Sequence, residues 1–154
     1  MTEDARFEDA DEAPIALRAL DEGDLKVLAA LVQDAVFPAA EMTWDRRRRR
    51  FAILLNRFRW EEIGRRPPER VQAVLVIEDA MRVASQGIAR DDPDLVLSLL
   101  TLTWLPDEEG AGRIELVLAG DGAVAIDVEA LEVTLKDVTT PYVAASGKSP
   151  DHPD

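Results

Sequence analysis

The most chemically distinctive feature of this sequence is a run of five consecutive arginines, Arg46–Arg50. A guanidinium group binds a carboxylate or a phosphate through two parallel hydrogen bonds. Because side chains alternate between the two faces of a strand, five successive arginines cannot all reach solvent from a half-buried sheet. The run therefore predicts a hairpin tip or a projecting edge, where several guanidinium groups could grip one anionic partner.

Positive charge is concentrated around this run. Residues 46–70 hold 10 of the 18 Lys and Arg and only three of the 31 Asp and Glu, which gives a formal charge of +7, against −20 for the rest of the chain. If the fold keeps the two regions apart, the molecule is a strong electrical dipole. The residues predicted to bind a partner are Arg46, Arg47, Arg48, Arg49, Arg50, Arg57 and Arg59.

Three interpretations of the basic hairpin are open. It could be a solvated tip whose charge discourages edge-to-edge aggregation. It could dock on an acidic surface, either of a partner protein or of a neighbouring subunit. It could also bind nucleic acid or anionic lipid, although the acidic body would repel these ligands and Phe51, Phe58 and Trp60 are expected in the core rather than as stacking platforms.

Several catalytic chemistries are excluded by composition. The chain has no cysteine, so it has no disulfide, thiol nucleophile, Cys-type zinc site or iron–sulfur cluster. The single histidine is His152, two residues from the end of the sequence, so a His-containing triad within the fold is excluded. Nucleotide-binding glycine motifs are absent as well. We predict no catalytic, cofactor-binding or metal-binding residue and no cofactor.

Two functional alternatives accompany the leading hypothesis. The leading hypothesis is a non-catalytic binding or regulatory module that engages an acidic protein surface, or a second copy of itself, through the basic hairpin. One alternative is a small enzyme that works with carboxylates, with or without Mg²⁺ bound through water. The other is a nucleic-acid-binding protein, whose affinity would fall steeply with salt.

The sequence predicts a cytoplasmic protein without membrane association. Residues 1–12 are acidic and lack the basic start and apolar stretch of a secretory signal. The longest nearly apolar stretch, Leu95–Leu105, is far shorter than the roughly 20 residues that span a bilayer.

A chain of 154 residues has the size of one domain. We expect an acidic disordered tail over residues 1–13, a single domain over residues 14–143 and a flexible tail over residues 144–154. Asn56 is the oddest polar residue within a strand pattern, and we expect it to have a structural role that satisfies a loop backbone.

Periodicity and turn signals predict the elements. Asp21 is a helix N-cap ahead of Leu25, Leu28 and Val32, and Gly120-Asp121-Gly122 is a hairpin turn. The predicted strands cover residues 15–20, 41–45, 51–61, 71–77, 81–88, 100–105, 113–119 and 123–128. A short helix is predicted from Asp92, and a last helix over residues 128–138, with Val128, Leu131, Leu135 and Val138 on one stripe.

These elements predict an α+β fold. We expect one curled, mostly antiparallel sheet of about six to eight strands, with two or three helices that include the C-terminal one.

Four stretches are similar to a known family. They are Leu31–Val36, Leu54–Glu61, Gln86–Ile88 and Asp92–Leu97, and the most specific part is Asn-Arg-Phe-Arg-Trp at residues 56–60. Over about residues 14–140 the chain resembles an uncharacterised alphaproteobacterial family, a domain of unknown function. The resemblance implies a bacterial setting and transfers no catalytic or cofactor residue.

Overall fold

The computed structural model describes residues 14–64, 67–89, 92 and 94–143. Both predicted tails lie outside these residues. The strands are β1 (Ala16–Ala19), β2 (Val36–Pro38), β3 (Met42–Asp45), β4 (Arg50–Phe58), β5 (Glu69–Ile77), β6 (Ala80–Gln86), β7 (Val96–Pro106), β8 (Gly112–Leu118), β9 (Ala123–Val128), β10 (Val133–Asp137) and β11 (Tyr142–Val143). One α-helix, α1 (Glu22–Leu31), lies between β1 and β2, and short 3₁₀ turns cover Ala39–Glu41 and Trp60–Glu62.

The predicted fold class is wrong. The described residues form eleven strands and one α-helix, not six to eight strands with two or three helices. Every pairing is antiparallel, and the strand order is β1-β10-β5-β4-β2-β7-β8-β9-β6, with β3 beside β4 and β11 beside β5. The protein is a mostly antiparallel β structure to which a single helix contributes.

The predicted C-terminal helix over residues 128–138 is the main source of this error. Strand β9 ends at Val128, and β10 follows after a turn. Val133, Leu135 and Asp137 are buried in β10, whereas Thr134 and Lys136 are not. This two-residue alternation is that of a strand. Strands β1 and β5 pair with β10 on its two edges. These long-range pairings select the two-residue alternation of a strand over the helical spacing of Val128, Leu131, Leu135 and Val138.

The described residues of the segment that begins at Asp92 form no helix, contrary to the prediction. Pro93 lies outside the described residues, and the amide of Leu95 donates to the carbonyl of Asp92 at 3.2 Å, as in a single turn. Strand β7 begins at the next residue, Val96, and runs on to Pro106. The segment thus extends the predicted strand at residues 100–105 towards the N-terminus.

Helix α1 starts at the predicted residue. The Asp21 side chain accepts a hydrogen bond from the amide of Asp24 at 2.8 Å, as an N-cap does. Leu25, Leu28 and Ala29 form the buried face of the helix. This face packs beside β1 and β7 and contributes to the common core.

The core lies between two halves of the sheet that are joined at a corner. Strands β5 and β6 are separated only by Glu78 and Asp79, and they pair with β10 and β9 respectively in one continuing antiparallel ladder. The amide of Glu78 donates to the carbonyl of Glu132 at 3.0 Å, and the amide of Glu129 donates to the carbonyl of Asp79 at 3.2 Å. The hydrogen-bonded ladder therefore continues through the bend. Inward side chains of both halves fill the space between them, among them Ile53, Leu55, Leu75, Leu135, Ile114, Leu116 and Ile126.

Within the described residues, no helix has the length and apolar character required to cross a membrane.

Candidate functional site

The arginine run forms the turn between β3 and β4, as predicted. We call Arg46–Arg50 the arginine tip. Asp45 organises its backbone, because one carboxylate oxygen accepts from the amides of Arg47 at 3.1 Å and Arg48 at 3.2 Å. The turn closes with a bond from the amide of Arg49 to the carbonyl of Arg46 at 3.3 Å, and Arg49 has a φ of 52°. The tip is therefore an ordered turn, not a disordered charge cluster.

The tip is tied to the start of β6. The amide of Ala80 donates to the carbonyl of Arg49 at 2.8 Å. The indole nitrogen of Trp44 donates to the carbonyl of Ala80 at 3.3 Å. The guanidinium of Arg46 lies over the Trp44 ring, 4.6 Å from its centroid, in a cation–π contact. These contacts hold the tip at a fixed place beside the corner of the sheet.

The outer part of the tip carries its unbalanced charge. Arg49 pairs with Glu129 at 3.2 Å and Arg50 with Glu78 at 2.5 Å, and the hydrogen bond to Glu78 raises the pKa of Arg50. Arg48 lies 3.8 Å from Asp45, and its side chain is 74% exposed. In the part of the chain that the structure describes, Arg46 and Arg47 have no carboxylate within ion-pair distance. Arg46, Arg47 and Arg48 therefore form the accessible cationic end.

Arg57 does not join the arginine tip, contrary to the grouping made from the sequence. Its side chain is fully buried and binds two carboxylates in a bidentate manner. The Asp137 oxygens accept from Nε and Nη2 at 2.9 Å each, and the Glu61 oxygens accept from Nη1 at 2.9 Å and Nη2 at 2.8 Å. The position continues the inward series Phe51, Ile53 and Leu55 along β4. Arg57 is thus an internal ion-pair residue that no partner can reach.

The pKa values reflect this network. Burial alone would lower the pKa of Arg57, but the hydrogen bonds from its guanidinium to Glu61 and Asp137 outweigh burial and raise it. Burial alone would raise the pKa of Glu61, but the hydrogen bonds and charge of Arg57 hold it below its ordinary value. Arg57 and Glu61 are therefore both ionised in the folded protein near neutral pH.

Arg59 is also buried, with 3% of its surface exposed. Its guanidinium bonds Glu69 at 2.6 Å and lies 3.6 Å from Glu61. The following residue, Trp60, donates from its indole nitrogen to the carbonyl of Gln33 at 2.9 Å. The contacts of the Asn-Arg-Phe-Arg-Trp stretch therefore fix the end of β4 against β5 and the segment that follows α1.

Asn56, also on β4, contacts side chains of two other strands. Its amide nitrogen donates to the Tyr142 hydroxyl, and its oxygen accepts from Arg70 at 3.3 Å. These contacts join β4 to β5 and β11, which agrees with the structural role expected for Asn56, although its partners are side chains rather than the expected loop backbone.

A second surface feature was missed by the sequence reasoning. Three outward-facing alanines, Ala84 on β6 and Ala123 and Ala125 on β9, form the floor of a depression of about 280 Å³, which we call the alanine depression. The residues that surround this floor are polar: Arg82, Ser85, Gln86, Arg113, Glu115 and Asp127. The alternating alanines Ala123 and Ala125 of the predicted strand were a signal for a shallow outer surface. The position of the depression also depends on how β6, β9 and β8 are aligned, which the sequence does not give.

Arg113 and Asp127 form a half-exposed ion pair at one side of the depression. The distance from Arg113 Nε to the Asp127 carboxylate is 2.8 Å, and this hydrogen bond raises the pKa of Arg113. Arg82 stands opposite Asp127 on β6, in register with it. It has no carboxylate within ion-pair distance among the residues described.

A search of the described residues finds no cluster of three or more His, Asp or Glu that could hold a metal ion. The carboxylate-enzyme alternative stays a prediction.

Comparison with known proteins identifies the family. A family model described as "Protein of unknown function (DUF2948)" matches residues 15–152. No curated protein and no solved structure gives a significant match. The match covers most of the chain and confirms the resemblance to a domain of unknown function: the protein belongs to the DUF2948 family.

Proposed function

We propose that this member of the DUF2948 family is a non-catalytic binding module that docks on an acidic protein surface through its arginine tip. The observation that carries the proposal is an ordered turn, fixed by Trp44 and Ala80. Among the described residues, its outer arginines Arg46–Arg48 have only Asp45 as a carboxylate neighbour.

The order of the turn favours binding. Holding a side chain in a complex costs about 0.5–1.5 kcal/mol of conformational freedom. At the tip, the bonds to Asp45 fix the backbone, and the Trp44 ring already restricts Arg46. Part of the ordering cost is therefore met before a partner arrives, and each guanidinium offers a planar fork that matches a carboxylate.

The size and surroundings of the tip favour an acidic protein over a nucleic acid. The cationic end is a single turn, and Glu78 and Glu129 lie directly behind it in ion pairs with Arg50 and Arg49. A polyphosphate backbone extends well beyond one turn and would meet the net negative charge of the rest of the chain. A local cluster of carboxylates on a protein can contact the tip without approaching the acidic body.

The test compares two triple variants that change net charge equally. In Arg46→Ser/Arg47→Ser/Arg48→Ser the accessible end of the tip is removed. In Arg18→Ser/Lys26→Ser/Lys136→Ser three exposed basic residues elsewhere are removed. The probe is a fluorescent polyglutamate peptide at low salt, with affinity measured by anisotropy. We expect the tip variant to bind about tenfold more weakly than wild type, a loss of about 1.4 kcal/mol, and the control variant to bind within about twofold of it.

Two further measurements decide the partner class. A duplex DNA probe that binds more tightly than polyglutamate and depends on the same arginines would replace the proposal with nucleic-acid binding. Sedimentation of the full chain at low and high salt tests whether the acidic surface is that of a second copy: association lost in the tip variant would identify it. Equal affinity of both triple variants for polyglutamate would show that the tip is not a docking site.

A further inference from the structure

The alanine depression adjoins the arginine tip. Ala80, the first residue of β6, donates its amide to the carbonyl of Arg49 in the tip, and its own carbonyl accepts from the Trp44 indole on β3. Arg82 and Ala84 follow on the same strand, after a register shift against β9 between Ala80 and Arg82. An extended segment that leaves the tip along β6 therefore reaches the depression within a few residues.

The register across three strands explains the shape of the depression. Ala84 pairs with Ala125, and Ala125 pairs with Glu115 on β8. On one side of this row lies the row Arg82, Asp127 and Arg113, and on the other lies the row Gln86, Ala123 and Val117. Directly opposed side chains stand about 4.5–5.5 Å apart at Cβ, so paired alanines leave a gap between taller neighbours.

The lining selects a particular kind of side chain. Its charges balance, because Arg82 and Arg113 are matched by Glu115 and Asp127, so a further carboxylate gains little there. The alanine methyl groups give an apolar floor, and guanidinium groups stack on aromatic rings. Gln86 offers an amide that can bond a hydroxyl group. A tyrosine ring satisfies all three conditions.

We propose that the acidic segment bound by the arginine tip carries a tyrosine that occupies the alanine depression. This inference rests on the proposed function, since it names the partner's second anchor at the same surface. The tip supplies electrostatic attraction, and the depression supplies specificity through shape and aromatic contact.

The test uses matched peptides and a variant that fills the depression. The probes are polyglutamate peptides that end in tyrosine or in alanine, with glycine spacers of graded length before the last residue. Wild type is expected to bind the best-spaced tyrosine peptide about tenfold more tightly than its alanine counterpart, which corresponds to about 1.4 kcal/mol. In Ala84→Trp the indole occupies the gap, so this preference should disappear while the alanine peptide binds as it does to wild type.

The controls separate this inference from the proposed function. Val27→Trp places the same ring on an exposed position of α1, away from the depression, and should keep the tyrosine preference. Arg46→Ser/Arg47→Ser/Arg48→Ser should weaken both peptides alike. Equal binding of tyrosine and alanine peptides to wild type at every spacer length, with dependence on the tip retained, would overturn the tyrosine site alone. Failure of wild type to bind either peptide would overturn the docking function as well.

Discussion

Replacing Arg57 with methionine is expected to lower the free energy of unfolding by about 3–5 kcal/mol. The substitution keeps most of the side-chain volume but removes the charge that both Asp137 and Glu61 bind. Asp137 is left with 6% of its surface exposed and, among the described residues, with the amide of Ile15 as its remaining side-chain donor. An uncompensated buried carboxylate is among the most costly defects that a single substitution can create. Urea unfolding followed by circular dichroism measures the loss.

The control for this prediction is Arg113→Met. It breaks an ion pair of similar length, Arg113–Asp127 at 2.8 Å, whose side chains are 50% and 35% exposed. Solvent-exposed pairs contribute about 0.2–1 kcal/mol, so the control should change stability little. If Arg57→Met and Arg113→Met shift the urea midpoint equally, Arg57 is not the buried centre of a network, and it would again be a candidate for partner binding.

Replacing Leu135 with alanine is expected to cost about 2–5 kcal/mol, whereas Val138→Ala should change stability by less than about 0.5 kcal/mol. Leu135 is fully buried between the two halves of the sheet, and its truncation leaves a cavity. Val138 lies just past the end of β10 and is 49% exposed. The same urea unfolding measurement reads both variants.

This pair also tests the strand at residues 133–137. In the helix predicted from the sequence, Leu135 and Val138 share one buried stripe, so both truncations would be costly. A large effect at both positions would contradict β10. A large effect at Leu135 alone is the result that the strand requires.

The elements with strong local signals were predictable from the sequence. Helix α1 begins at Asp21 because that side chain caps it, and the β8–β9 hairpin turns at Gly120-Asp121-Gly122, where Gly120 and Asp121 have positive φ angles. The arginine tip belongs to the same class, because five consecutive charged side chains can all reach solvent only from a turn or a projecting edge. These features depend on residues within a few positions of each other.

Features that depend on distant partners were not predictable. Residues 128–138 carry both a helical and an alternating pattern, and strands β1 and β5, far away in the sequence, select the strand. Arg57 sits at an inward position that its spacing from Leu55 could have indicated, but its partner Asp137 is 80 residues away. The ion pairs that tie Arg49 to Glu129 and Arg50 to Glu78 depend on the corner between β5 and β6 in the same way.

Burial also divides the arginines by role. The sequence predicts one partner-binding set of seven arginines. In the structure, Arg57 and Arg59 are buried in ion pairs, and Arg49 and Arg50 pair with Glu129 and Glu78. The docking proposal now rests on Arg46, Arg47 and Arg48. These are three of the ten arginines in the +7 window, residues 46–70, so a single triple variant tests the proposal.

The central claim is tested most directly by following the arginine Nε–H signals of the ¹⁵N-labelled full chain while polyglutamate is added at low salt. The proposed docking site predicts that the signals of Arg46, Arg47 and Arg48 shift with a common binding curve, and that those of Arg57 and Arg59 stay in place. Saturable shifts elsewhere, with the tip signals unmoved, would contradict it.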